Sequence, residues 1–97
     1  MTVLLVGYDL YHKEGAAYED LEAAIKDLGS WWHCLDSTWF VRTESSAADA
    51  RNTLTPHLGK GDKLLVVKVK TPTAWAASSN FPDNCIDWLK GNVGGSS

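Results

Sequence analysis

Hydrophobic positions fall along this chain in short blocks whose spacing switches between a period of two and a helical period. Residues 2–8, TVLLVGY, form an apolar run closed by Asp9. On a strand, Val3 and Leu5 lie on one side and Leu4, Val6 and Tyr8 on the other, so both sides read as covered. Residues 9–15, DLYHKEG, are polar and end in glycine, which suits a loop. From Ala16 to Leu28, Tyr18, Leu21, Ile25 and Leu28 recur at helical spacing, and Gly29 ends the run. Glu19, Asp20, Glu22, Lys26 and Asp27 fill the opposite side, where water can cover them.

Residues 31–35, WWHCL, and 38–43, TWFVRT, are aromatic and β-branched runs joined by Asp36-Ser37, a hairpin pattern. Ser46 with Asp49 three residues on is an N-cap arrangement for a second helix. Ala47, Ala50, Leu54 and Leu58 supply that helix's inner stripe, and Pro56 disturbs its last turn. After the loop 59–62, residues 63–70, KLLVVKVK, form a strand with Leu65, Val67 and Val69 expected inward. The segment 71–93 is expected to be a loop, with room for a short added strand, then a last helical turn carrying Ile86, Trp88 and Leu89.

The order β-α-β-β-α-β implies an α+β, ferredoxin-like domain. Two helices cover one face of a four-stranded antiparallel sheet, and a C-terminal extension follows. One domain over residues 1–93 with a flexible tail at 94–97 is the expected organisation. Two helices leave one sheet face open, yet the first strand is apolar on both sides. The C-terminal segment or a second copy of the chain must hide that surface, and a homodimer or higher oligomer is the simpler expectation.

Composition narrows the function. The chain has 97 residues, and nine Lys and Arg face twelve Asp and Glu for a net charge of −3. That balance excludes a protein that wraps duplex DNA with a broad basic surface. No stretch approaches the roughly 20 apolar residues of a membrane span, so no membrane partner is expected. The first residues lead straight into strand pattern without a basic, leader-like segment. Cys34 and Cys85 lie far apart outside any CxxC and read as small core residues with reduced thiols, giving an expected cytoplasmic location.

The topology gathers chemistry at one rim, where the first strand ends, the hairpin turns and the fourth strand begins. Asp9, Tyr11, His12, Lys13, Asp36, Ser37, Thr38, Lys60, Asp62 and Lys63 belong to it. Lysines beside a helix N-terminus suit phosphate, and two carboxylates near it suit a hydrated divalent cation such as Mg²⁺ or Mn²⁺, which keeps several waters and needs few protein ligands. The plainer readings are turn chemistry for Asp36-Ser37, a cap or turn role for Asp9, and packing for most of the five tryptophans. His12, His33 and His57 have no metal-ligand spacing.

The segments LLVGYDL, AIKDLGSWWHCLDSTWFVRT, DKLLVVKV and the later WLK resemble a family of small phage and bacterial SinR-like proteins. That family is similar to the small CRISPR-adaptation nuclease subunit and to VapD-type ribonucleases. The resemblance implies a ferredoxin-like homodimer joined through the sheets, and it gives Asp9 the place of an aspartate tied to metal-dependent phosphodiester cleavage. The expectation is therefore a homodimer that binds a nucleotide or short nucleic acid, with Asp9 as catalytic and metal-holding residue. Tyr11, His12, Lys13, Asp36, Ser37, Thr38, Lys60 and Lys63 would contact the ligand. The alternative is a phage-type factor without catalysis that sequesters a signalling nucleotide or inhibits a host defence protein.

Overall fold

β1 (Thr2–Asp9) occupies an inner position of a four-stranded antiparallel sheet in a computed structural model that describes residues 1–11 and 16–95. β3 (Thr38–Thr43) pairs on one side of it and β4 (Lys63–Val69) on the other. β2 (Ser30–Trp32) extends the sheet beyond β3, giving the order β2-β3-β1-β4. α1 (Ala16–Lys26) links β1 to β2, and α2 (Ala47–Leu54) with a short 3₁₀ turn at Thr55–His57 links β3 to β4. α3 (Asp83–Asn92) closes the described chain. The protein is thus an α+β domain, and no helix among the described residues is long and apolar enough to cross a membrane.

Alternation along β1 builds two cores. Leu4, Val6 and Tyr8 point toward α1 and α2, where they join Leu21, Ile25, Trp39, Val41 and Leu54, all buried. Val3 points the other way and is buried with Trp32, Cys85, Leu89 and Val93 beneath α3. Ser46 caps α2 by accepting from the Asp49 amide at 3.1 Å, as the sequence pattern implies. Pro56 falls in the 3₁₀ turn after α2, where its missing amide costs no α-helical bond. Gly29 passes so close to the Arg42 carbonyl that a Cβ there would collide with it.

Four expectations need correcting. On β4, Leu64 and Val66 face the helix-covered core, whereas Leu65 and Val67 lie exposed on the opposite face. Apolar residues stand at both parities of KLLVVKV, so alternation alone does not choose the inner side. β2 is three residues long rather than five, since its pairing with β3 ends at Trp32 opposite Phe40. The C-terminal segment forms a full ten-residue helix, not a single turn, and it covers part of the second sheet face. Lastly, Cys34 and Cys85 are joined in a disulfide across 51 residues, and no free cysteine remains among the described residues. α3 packs beside the β2–β3 turn, which brings these two distant cysteines together. Such bonds persist in oxidising compartments, so the thiols no longer argue for a cytoplasmic location.

Candidate functional site

The strand ends do converge. Asp9 stands opposite Lys63 in the β1–β4 ladder, Gly7 stands opposite Thr38 in the β1–β3 ladder, and the Tyr8 amide donates to the Ser37 carbonyl at 3.1 Å. Asp9, Ser37, Thr38 and Lys63 therefore share one edge of the sheet. Lys60 is exposed in the loop entering β4. His12 and Lys13 lie outside the described residues.

Asp62 organises the loops here. Its Oδ1 accepts from the Tyr11 amide at 2.8 Å and its Oδ2 from the Gly59 amide at 2.7 Å. Both carboxylate oxygens are thereby engaged in tying the exit of β1 to the entry of β4. Gly61 adopts φ +85°, and a Cβ there would come within 3.0 Å of the Tyr11 ring. Only glycine satisfies the left-handed backbone and the close ring together. The result is a depression of about 430 Å³ lined by Asp9, Leu10, Tyr11, Gly61 and Lys63.

Asp36 and Ser37 shape the β2–β3 turn through their main chain. Their carbonyls accept hydrogen bonds that shape the turn, from His33 Nε2 at 3.0 Å and from the Tyr8 amide. A carbonyl can only accept, so Nε2 carries the proton in that contact. The His33 ring stacks on Trp39 at 3.7 Å between centroids, and its Nδ1 lies 3.8 Å from Glu22 Oε2. Trp31 leans on the same tryptophan at 5.6 Å, with Lys26 Nζ 4.8 Å over its ring. This aromatic ladder was not read from the sequence. The signal for it was the two-residue spacing of Trp31 and His33, which places both on one side of an extended segment.

Behind the rim, the Trp39 indole donates to the Tyr8 hydroxyl at 2.9 Å inside the core. The Tyr8 ring meets the Tyr18 ring edge-on at 6.4 Å. A hydrogen bond with Tyr8 first, then burial, holds the Tyr18 hydroxyl well above its ordinary value near 10, and nearby Glu22 and Asp36 add to the effect. A second depression, of about 350 Å³, lies between β2 and α3 against Trp31, Trp32, Trp88 and the disulfide. The Trp32 and Trp88 indoles donate to the Cys85 carbonyl and the Ser30 hydroxyl, each at 3.0 Å.

Asp9 stands beside the Lys63 position, Asp62 is spent on backbone amides, and no three His, Cys, Asp or Glu residues cluster as metal ligands among the described residues. Mg²⁺ and Mn²⁺ rely on one or two carboxylates with retained waters, and Asp9 is the rim carboxylate that borders the depression. No family model matches this chain, and neither the curated proteins nor the solved structures contain a significant match.

Proposed function

We propose that this chain is a ferredoxin-like, self-associating binding protein that holds a phosphate-bearing ligand, a nucleotide or short nucleic acid, at the rim between β1 and β4. Connectivity supports the fold. Each of α1 and α2 joins two strands that are not neighbours in β2-β3-β1-β4, as a split βαβ pair requires, and α3 is an extension. One observation carries the ligand reading: Tyr11 and Lys63 border an open depression over Gly61, with Lys60 next to it in the loop. Lysines supply compact positive charge for phosphate oxygens, and the largely exposed Tyr11 ring offers a face for a base.

Binding without hydrolysis is the leading form, since among the described residues the other rim carboxylate, Asp62, already accepts from the Tyr11 and Gly59 amides. Sequestration of a small signalling nucleotide fits it. Calorimetry against nucleoside diphosphates, cyclic dinucleotides and short RNA and DNA tests it. At least one of these ligands should bind, and Lys60→Glu should weaken it about tenfold or more. Silence across the whole panel would remove the reading. The metal-dependent phosphodiesterase is the second reading, favoured by the exposed position of Asp9 at the lip of the depression. It requires cleavage by the wild type with Mg²⁺ or Mn²⁺ that Asp9→Asn abolishes.

A further inference from the structure

β4 is an outer strand of the sheet, paired to β1 alone among the described strands. In an antiparallel ladder, alternate residues of such a strand turn their amide and carbonyl away from the sheet. None of its seven residues is buried. The chain leaving β4 does not return along that edge, because the Thr73 amide donates to the Val93 carbonyl at 3.0 Å and draws the segment toward α3. On the face away from α1 and α2, Leu65 is 64% exposed and Val67 42%. Lys68 takes the opposite parity, and Lys70 stands just past the strand. Both lysines are exposed, and neither has an ion pair among the described residues. An open backbone edge, two bare apolar side chains and two uncompensated lysines follow one another along a single strand.

We propose that this edge takes an extended acidic peptide of another protein as an added strand, antiparallel to β4 over residues 64–70. The main chain supplies the hydrogen bonds, and alternate side chains supply the choice of partner. Peptide residues opposite Leu65 and Val67 share their face and are apolar, and those opposite Lys68 and Lys70 are acidic. From its N-terminus the peptide is therefore acidic, any, acidic, apolar, any, apolar. Charge decides among occupants. A second copy pairing through β4 would bring its own lysines to this edge, and residues 63–70, KLLVVKVK, hold no carboxylate to meet them. A nucleic-acid strand would answer the lysines but neither the outward carbonyls nor the two apolar side chains. Lys63 lies outside the footprint and stays with the ligand rim, so the peptide site is independent of that ligand. α3 packs over Val3, Trp32 and Phe40, clear of a strand added beyond β4 in the plane of the sheet.

The probe is the synthetic peptide Glu-Thr-Glu-Val-Thr-Val-Thr, titrated against the whole chain with backbone amides followed by NMR. Micromolar affinity is expected, with slower hydrogen exchange at alternate β4 amides, which side-chain contact alone does not give. Replacing the first two threonines of the peptide by proline should weaken binding about tenfold or more. Those two positions lie at opposite parities, so one of them must donate to β4. Lys68→Glu combined with Lys70→Glu should weaken the glutamate peptide about tenfold or more, and Lys-Thr-Lys-Val-Thr-Val-Thr should recover most of that loss on the same variant. Leu65→Thr should weaken binding about fivefold, which covers the case of a misfolded charge variant. No binding by the wild type, equal binding by the charge-reversed variant, or exchange protection away from β4 overturns the proposal. Protection of β4 that grows with protein concentration in the absence of peptide also overturns it and gives the edge to a second copy. Tighter binding of short single-stranded DNA at the same amides overturns it and gives the lysines to phosphate.

Discussion

Replacing Cys34 and Cys85 by serine removes a covalent tie between the β2–β3 turn and the first turn of α3. The bond spans 51 residues of sequence. In the chain-entropy account, closing a loop of that length restricts the unfolded chain by about 14 cal/mol/K, or about 4 kcal/mol at 25 °C. A domain of this size has a total stability of roughly 5–15 kcal/mol. The bond is then a large share of the whole. Native contacts change little, because the Trp32 indole still donates to the Cys85 carbonyl, and Leu89 and Val93 stay under the sheet. Urea unfolding followed by circular dichroism, with and without reductant, checks the magnitude. The oxidised wild type should exceed both the reduced wild type and the double serine variant by about 4 kcal/mol, with similar native spectra. Two titratable thiols in the non-reduced native protein, or equal midpoints for all three species, would refute the reasoning.

Trp39→Ala should cost about 3–5 kcal/mol, since the ring is fully buried, and Trp39→Phe less, since it forfeits mainly the bond to Tyr8; chemical denaturation separates the two. Tyr18 holds its proton more tightly folded than unfolded, so its contribution is complete below its ordinary value near 10 and is lost as pH rises beyond it. Stability should therefore fall above about pH 10 more steeply in the wild type than in Tyr18→Phe, read from unfolding midpoints against pH. Gly61→Ala should destabilise the β4 entry loop by about 1 kcal/mol or more through its left-handed backbone and the Tyr11 ring, visible as a lower melting temperature.

The elements with a single apolar stripe were legible from their periodicity. α1 shows Leu21 and Ile25 on one side and charge on the other, and both are buried where that pattern puts them. Ser46 and Asp49 marked the start of α2 by a mechanism that operates locally, and the hydrogen bond is present. Periodicity fails where both sides are apolar. In KLLVVKV each parity offers leucine and valine, and the choice falls to the partner surfaces: α1 and α2 claim Leu64 and Val66, leaving Leu65 and Val67 outside. The disulfide was illegible for a related reason. Two cysteines 51 residues apart carry no register of their own, and only the placement of α3 brings their Cα atoms to 6.4 Å. α3 itself was underestimated because Pro82, Asp83 and Asn84 at its start read as loop, whereas proline preceding an acidic first turn is also a helix opening.

The candidate site divides the same way. Topology gathered Asp9, Ser37, Thr38 and Lys63 at one edge, because strand order fixes which ends are neighbours whatever the side chains do. What each side chain does there depends on single contacts. Asp62 and Asp9 are both aspartates at the strand ends, yet Asp62 spends its two oxygens on the amides of Tyr11 and Gly59 while Asp9 stands at the lip of the depression. Lys63 is the hinge between the two functional readings. Across the ladder from Asp9 it stands next to the carboxylate that the metal-dependent reading needs, and it borders the depression that the phosphate reading needs.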